Sequence, residues 1–347
     1  MFEFSGQCNQ RCRFCYNSWK APESGPKREL GTNRVKELLA KTIDASGCES
    51  ISLSGGEPVL RADLFEIIAF IKGRGPKVSL VTNGTLLDDA AIDRALSAGV
   101  DLFQVSLLGD TRELHNRLAG FDAFDRVIEA ILNVRGRGGR VSTFFVGLAD
   151  NIDRFAKTLE LNVLLGVENV ALGRFTPGGS GIADWERLMP SPEALDGALA
   201  AADEMSGKYR LSVSLATPVL PCLHDLSRYR RLRFSFCSVG AREHGLFGID
   251  PEGNLKACSH SPRVLGNLLE EPFERLIRSP FLDEFTATVP AFCRSCPDLP
   301  VCRGGCRSSA KVCSGSFAEE DPYLAMWKSK AVRPTIASFV SSTGVSA

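Results

Sequence analysis

The first 205 residues alternate short apolar runs with longer amphipathic stretches. The apolar runs predict strands, and the stretches between them have the period of amphipathic helices. The predicted strands cover 2–4, 50–53, 78–81, 102–107, 141–146 and 167–172. The predicted helices cover 33–46, 60–72, 88–98, 124–135, 152–165 and 192–205, with Asn33 and Asp88 as predicted caps.

This strand–helix alternation predicts consecutive βα units and a parallel sheet. Six units are fewer than the eight that close a full (β/α)8 barrel. We therefore expect an α/β fold in which residues 1–205 form an open, partial (β/α)6 barrel. A partial barrel leaves a wide lateral opening, which suits a large substrate.

The pattern changes after residue 206, where cysteine, glycine and proline begin to separate short segments. We expect a bridging segment over 206–236, with a strand at 211–215, and a small, loop-rich α+β domain over 237–320. A hairpin over 246–257 and a short helix at 273–277 are predicted within that domain. A C-terminal helix and tail, frayed from residue 334, complete the chain over 321–347. Bound metal clusters would compensate for the small apolar core.

Composition narrows the function. The chain has 347 residues and zero formal net charge, with 41 basic and 41 acidic side chains. A binder of phosphate backbones would be basic, so no nucleic-acid partner is expected. No apolar run has the length of a membrane span, and the opening residues do not resemble a secretory signal, so we expect a cytoplasmic protein with no membrane partner. The twelve cysteines cluster near the two ends, which favours metal binding over disulfides and leaves zinc and iron–sulfur open.

Three cysteines follow the first predicted strand directly: Cys8, Cys12 and Cys15. In a βα barrel, chemistry takes place at the C-terminal ends of strands. Three thiolates can bind three irons of a cubane and leave the fourth iron open, as a catalytic cluster requires. A zinc knuckle, or three unrelated buried cysteines, is the structural alternative.

Later strands are followed by further motifs in a fixed order. They are Ser-Gly-Gly-Glu-Pro at 54–58, Thr-Asn-Gly at 82–84, Ser106, His-Asn-Arg at 115–117 and Arg-Phe-Thr-Pro-Gly-Gly-Ser-Gly at 174–181. Together with CxxxCxxC and its aromatic Phe14, they resemble the radical S-adenosylmethionine superfamily. Leu108 occupies a position where close relatives usually carry an acid, so we expect it only to pack.

The resemblance implies that the open iron of the first [4Fe–4S] cluster chelates S-adenosylmethionine. Reductive cleavage then gives a 5′-deoxyadenosyl radical, which abstracts a hydrogen atom from the substrate. The cosubstrate contacts it implies are Phe14, Gly55, Gly56, Glu57, Asn83, Ser106, Arg117 and Arg174.

A second resemblance covers the C-terminal cysteines. Cys237, Gly253 and Cys258, then Cys293-x2-Cys296-x5-Cys302-x3-Cys306 and finally Cys313, resemble the SPASM domain. The resemblance implies two auxiliary [4Fe–4S] clusters, hence three clusters in all. It assigns Cys237, Cys258 and Cys306 to the first auxiliary cluster, and Cys293, Cys296, Cys302 and Cys313 to the second.

Cys222 precedes Cys237 closely, and we expect it to complete the first auxiliary cluster. The alternative is a three-thiolate site that could bind substrate. Cys48 stands apart and is expected to be a small buried hydrophobe. Two zinc sites or disulfides remain the alternatives for the whole region.

The leading functional hypothesis is an enzyme that oxidatively modifies a peptide by crosslinking, oxidation or epimerisation. It requires a low-potential electron donor such as a flavodoxin or ferredoxin. Because the chain begins almost at its first strand, a peptide would be delivered by a separate recognition protein or bound by the barrel opening. A small-molecule substrate, such as a sugar or aminocyclitol, is the second hypothesis, and a non-catalytic electron-transfer module is the third. No catalytic acid or base is identified.

Overall fold

The structure is a computed structural model that describes residues 1–20, 28–241 and 245–332. The predicted frayed tail from residue 334 lies outside these ranges. The described residues form one eleven-stranded sheet. Its strands are β1 Phe2–Ser5, β2 Ser50–Gly55, β3 Lys77–Thr82, β4 Leu102–Ser106, β5 Val141–Gly147, β6 Asn169–Arg174, β7 Ser212–Leu215, β8 Arg233–Phe234, β9 Gly248–Ile249, β10 Asn254–Lys256 and β11 Val264–Asn267.

Strands β1 to β8 lie side by side in chain order, and each pairs in parallel with the next. On the other side of β1 the order continues through β9, β10 and β11, with β9 parallel to β1 and the last two pairs antiparallel. Strands β8 and β11 are the two edges and do not pair with each other, so the described sheet is open.

The α/β fold with six consecutive βα units is confirmed, but the sheet is larger than predicted. Residues 206–236 contribute β7 and β8 as parallel strands, so this segment is more than a linker. The predicted hairpin is present as β9 and β10, and it adds to the barrel sheet beside β1. The C-terminal region is thereby fixed to the strand that carries the cysteine motif.

Each predicted helix is present, with shifted ends. The described helices are α1 Thr32–Ser46, α2 Leu64–Lys72, α3 Asp89–Ala98, α4 Arg112–Ala119, α5 Phe124–Gly136, α6 Phe155–Leu164, α7 Trp185–Leu188, α8 Pro192–Lys208, α9 Phe273–Leu276, α10 Pro280–Ala287, α11 Leu299–Cys302, α12 Arg307–Ser314 and α13 Pro322–Trp327. Asp88 caps α3 through a 2.8 Å bond from the Ala91 amide. The prediction for Asn33 was wrong, because Gly31 is the N-cap of α1.

Alternation along the strands gives the sheet two faces. Leu53 and Leu80 are buried in the core with helix residues such as Leu38 and Ile67. The opposite face, which we call the lumen, is mixed, since Ser52 pairs with Ser79 but Gln104 pairs with Val81 and Ser106 with Phe144.

None of the helices in the described ranges combines the length and the hydropathy that a bilayer-spanning helix requires.

Candidate active site

The first three cysteines lie on the loop that follows β1, which we call the cysteine loop (residues 6–17). None of the twelve cysteines forms a disulfide, and these three are partly exposed. Burial raises the pKa of Cys12 to about 12 and also raises that of Cys15. A cation beside them would favour the thiolates, and Lys20 supplies one. Burial acts to lower the pKa of Lys20, but the three thiolates outweigh it and raise that pKa. The sequence analysis did not identify Lys20.

The glycine pair after β2 packs directly against the cysteine loop. The Gly56 amide donates to Ser5 O at 2.6 Å, and the Glu57 amide donates to Gln7 O at 2.7 Å. A Cβ on Gly56 would lie 1.9 Å from Gln7 O, so no other residue fits there without moving the loop. The close approach that these glycines permit is thus to the cysteine loop, whereas the resemblance implied an approach to the cosubstrate.

Glu57 is fully buried and joins β2 to β3. Its carboxylate accepts from Thr82 Oγ1 at 2.7 Å, from the Asn83 amide at 2.8 Å and from the Val59 amide at 3.2 Å. Burial nevertheless raises the pKa of Glu57 to about 7. A positively charged ligand bound beside this carboxylate would favour its ionised form and lower its pKa again.

The Asn83 side chain extends this network to the cysteine loop. Its Nδ2 donates to Asn9 Oδ1 at 2.8 Å, and the side-chain Nδ2 of Asn9 donates to Thr85 Oγ1, also at 2.8 Å. Asn9 is a positioning residue that the sequence analysis missed; its place between two cysteines was the available signal.

The loop after β6 covers the other side of the cysteine loop. Ser180 Oγ donates to Cys12 O at 3.1 Å, and the Gly181 amide donates to Cys15 O at 3.3 Å. A Cβ on Gly179 would lie 2.5 Å from Cys15 O. The end of α4 adds a third support, because the Arg11 amide donates to Ala119 O at 3.1 Å. The backbone around the three thiols is therefore held from several sides, as a site for a rigid cluster requires.

The other residues predicted to contact the cosubstrate do not all lie beside the cysteine loop. Phe14 is partly buried beside Gly181, and Ser106 is half-buried at the end of β4. Arg117 is exposed on α4. Leu108 packs in the core as expected, with its amide donating to His115 Nδ1 at 3.2 Å.

Arg174 requires a correction. Its side chain is fully buried, and Nη2 donates to Asp321 Oδ2 at 2.7 Å while Nε donates to Pro218 O at 3.0 Å. The guanidinium also lies over the Tyr323 ring. The same Asp321 carboxylate accepts from the Cys306 amide at 2.7 Å. Arg174 therefore links the barrel to the C-terminal cysteines and does not line an accessible cosubstrate pocket.

The C-terminal cysteines fall into two groups. Burial raises the pKa of Cys237, Cys258 and Cys306, and each of these thiols also acts electrostatically on another of the three. The other group lines a small cavity of about 20 Å³ and consists of Cys222, Cys293, Cys296 and Cys302. The structure thus places Cys222 with the group predicted for the second auxiliary cluster and not with the first.

Cys313 is separate from that cavity. It lies on α12, seven residues after Cys306, which is about 10 Å along a helix. Cys48 is partly buried and packs against the core, as expected. No three His, Cys, Asp or Glu side chains in the described ranges converge as ligands of one metal ion would. Thiolates around a single zinc ion all lie about 2.3 Å from it, whereas a cubane is held at separate corners.

A buried polar group lies between the cysteine loop and the C-terminal region. Glu3 is fully buried, and neither of its carboxylate oxygens has a hydrogen-bond partner. Lys256 Nζ approaches one of them to 3.6 Å. Burial raises the pKa of Glu3, and Lys256 opposes that shift. Nearby, the Tyr16 ring stacks on the His260 ring with centroids 4.3 Å apart.

Comparison with known families agrees with a barrel that carries the cysteine loop and a cysteine-rich C-terminal domain. Residues 2–161 match the model of the Radical SAM superfamily, and residues 237–297 match SPASM, the iron–sulfur cluster-binding domain. The two matched segments together cover more than half of the chain. The chain therefore belongs to the radical SAM superfamily and carries a SPASM domain. It is an enzyme of this class, with an S-adenosylmethionine site and iron–sulfur cluster domains.

Two curated relatives match over nearly the whole chain. The AdoMet-dependent heme synthase of Methanosarcina barkeri is 28% identical, over 93% of this chain and 94% of the relative. The PqqA peptide cyclase of Granulibacter bethesdensis is 26% identical, over 93% of this chain and 86% of the relative.

Solved structures share the fold at lower identity. Streptococcus suis SuiB bound to S-adenosylmethionine has a TM-score of 0.71 at 16% identity, covering 92% of this chain and 75% of that one. Native anSMEcpe with bound AdoMet has a TM-score of 0.70 at 19% identity, covering 94% of both chains.

Proposed function

We propose that this enzyme binds a peptide in the lumen and modifies it oxidatively, by crosslinking, oxidation or epimerisation, using a 5′-deoxyadenosyl radical. The observation that carries the proposal is the open sheet, in which β1 carries the cysteine loop and the C-terminal strands β9 to β11 are added beside that same strand. The similarity to a PqqA peptide cyclase supports a peptide as substrate.

In this proposal, Cys8, Cys12 and Cys15 hold the radical-generating [4Fe–4S] cluster, and Lys20 stabilises their thiolates. When bound, this cluster and S-adenosylmethionine supply the 5′-deoxyadenosyl radical. Glu57 accepts from the ammonium group of the cosubstrate. Phe14, Asn83 and Ser106 complete its pocket, together with the backbone of Gly55 and Gly56. Arg117, which is exposed on α4, would contact the cosubstrate from the surface.

The C-terminal cysteines hold two auxiliary clusters, which makes three in all. A flavodoxin or ferredoxin is the proposed electron donor. A separate peptide-recognition protein is a further proposed partner.

One buried group beside the cysteine loop suits a peptide. The carboxylate of Glu3 makes no hydrogen bond, although Lys256 Nζ lies 3.6 Å from it. An N–H group of a bound peptide would supply the hydrogen bond that this buried acid lacks.

The second candidate is a small-molecule substrate. The similarity to a heme synthase favours it, because that relative is as well covered as the peptide cyclase. A sugar or aminocyclitol would bind in the same lumen, and its hydroxyl groups would donate to the carboxylate of Glu3.

The class of reaction can be tested without the substrate. Anaerobically reconstituted protein, reduced with dithionite in the presence of S-adenosylmethionine, is expected to release 5′-deoxyadenosine, measured by liquid chromatography. Cys12→Ala should release none, while Cys48→Ala, which removes a thiol remote from the site, should match the unaltered protein. Absence of 5′-deoxyadenosine from the fully reconstituted protein would contradict the proposal.

The substrate class needs a second assay. The probes are a synthetic copy of any short peptide encoded beside the gene and, separately, an aminocyclitol such as 2-deoxy-scyllo-inosamine. A peptide substrate is expected to stimulate 5′-deoxyadenosine release and to lose a pair of hydrogen atoms, or to gain deuterium at one Cα in deuterated water. Stimulation by the aminocyclitol alone would replace the peptide proposal with the second candidate.

A further inference from the structure

We propose that the second auxiliary [4Fe–4S] cluster is ligated by Cys222, Cys293, Cys296 and Cys302, and that Cys313 is not a ligand. The inference rests on the proposed auxiliary clusters but not on the proposed substrate. It changes the ligand set that the cysteine pattern implied, because it exchanges Cys313 for a residue from the segment between the two domains.

The first argument is convergence. The four thiols line one cavity although they come from separate segments: the loop after β7, the turn before α11 and the end of α11. Cys293 and Cys296 are joined by a turn in which the Cys296 amide donates to Cys293 O at 3.0 Å.

The second argument is charge. The cavity is also lined by Asp298, which is buried and whose two carboxylate oxygens have no hydrogen-bond partner. The rest of the lining is apolar or glycine and includes no Lys, Arg or His. The irons of a cubane would give this unpartnered carboxylate and the four cysteines a positively charged neighbour, which the lining itself does not provide.

The third argument is that Cys222 is held firmly in place. Two residues later, His224 is buried, with Nε2 at 3.1 Å from the Tyr323 hydroxyl and Nδ1 at 3.0 Å from Asp196 Oδ1. The Cys222 carbonyl accepts from the Val332 amide at 2.8 Å. A ligand must keep its orientation to bind a cluster, and these contacts fix the backbone on both sides of Cys222.

The fourth argument concerns Cys313. It does not line the cavity, and it lies in the last turn of α12. The exchange leaves Cys237, Cys258 and Cys306 for the first auxiliary cluster, which is the three-thiolate alternative considered from the sequence.

The test measures iron and sulfide per chain after anaerobic reconstitution, together with the EPR spectrum of the reduced protein. Cys222→Ala is expected to lose the iron of one cluster or convert it to a [3Fe–4S] form. The matched control Cys313→Ala should keep the full iron content and spectrum. Loss of a cluster in Cys313→Ala, or none in Cys222→Ala, would overturn the proposal.

Double variants assign the cluster to which Cys222 belongs. Cys222→Ala combined with Cys293→Ala should lose no more iron than Cys293→Ala alone, because both residues serve one cluster. Cys222→Ala combined with Cys258→Ala should lose two clusters. The reverse pattern would return Cys222 to the first auxiliary cluster.

The radical-generating cluster at Cys8, Cys12 and Cys15 reports whether the variants fold. Its perturbation by S-adenosylmethionine in EPR should persist in each of them, since Cys8, Cys12 and Cys15 are unchanged. A variant that loses this response is replaced by the corresponding serine substitution. Loss of the response from the unaltered protein would count against the proposed function and not against this ligand set.

Discussion

The cysteine loop and the C-terminal cysteines are positioned in different ways. Around the cysteine loop, strand ends, glycine contacts and the β6 loop hold the backbone, and the core behind them is large. In the C-terminal region, helices α9 and α11 have four residues each, and the local apolar cluster consists of Val239, Ala257, Phe281, Leu282 and Phe285. We therefore expect the barrel to form its site before any cofactor binds, and the C-terminal region to depend on the proposed clusters for stability.

Cluster removal gives the largest expected effect. Structural metal sites contribute on the order of 10 kcal/mol to folding. Removing the iron should therefore lower the hydrogen-exchange protection of α11 and α12 by more than about 100-fold, with strands β2 to β5 changing far less. Hydrogen-exchange mass spectrometry of the full chain with and without clusters measures this. Equal loss in both regions would show that the barrel also needs its cofactor to fold.

The ion pair between Arg174 and Asp321 joins the two regions. Replacing Arg174 with Ala leaves a buried carboxylate without its cation, which is expected to cost about 3–5 kcal/mol of unfolding free energy. Urea denaturation measures the loss. Arg112→Ala, which removes an arginine from an exposed pair, is the control and should change stability little. An unchanged midpoint in Arg174→Ala would mean that the two regions are not coupled through this pair.

Glu57 tests whether the barrel site forms without a cofactor, because the shift in its pKa arises from burial by the protein itself. Its pKa is raised to about 7 in the folded chain, so the folded state holds this proton over a range in which the unfolded state has lost it. This stability is therefore present below about pH 4.5 and is lost as pH rises to about 7, by about 2–4 kcal/mol.

Urea denaturation of the cluster-free protein between pH 5 and pH 8 measures this loss. In Glu57→Gln the corresponding part of the pH dependence should disappear, and the control Glu66→Gln, on the exposed part of α2, should keep it. If Glu57→Gln and the unaltered protein lose stability equally over this range, Glu57 is not buried in the absence of cofactor.

The smallest expected effect concerns helix capping. Asp88 caps α3 in the barrel, and Asp88→Ala should cost about 1 kcal/mol. Ser279 is the N-cap of α10 in the C-terminal region but makes no side-chain capping bond, so Ser279→Ala should be nearly neutral. Thermal denaturation of both variants compares them. Equal losses would indicate that α10 is also stabilised by its cap.

The sequence determined the features that depend on near neighbours. Apolar periodicity located β1 to β6 and their helices, because strand and helix periods are properties of adjacent residues. The motif order identified the strand ends that carry chemistry, and the cysteine spacing identified the two cysteine-rich regions. The assignments that failed or moved, such as Asn33 as a cap, concern single contacts of individual side chains.

Only the tertiary structure decided which distant residues meet. Arg174 and Asp321 are 147 positions apart, and Cys222 lines the same cavity as Cys293, which lies far from it along the chain. Glu3 likewise meets Lys256 only because β9 and β10 extend the sheet beside β1. Such contacts depend on packing and chain closure over long separations, which no local pattern specifies. The number of cysteines was evident from the sequence, but their grouping followed from the fold.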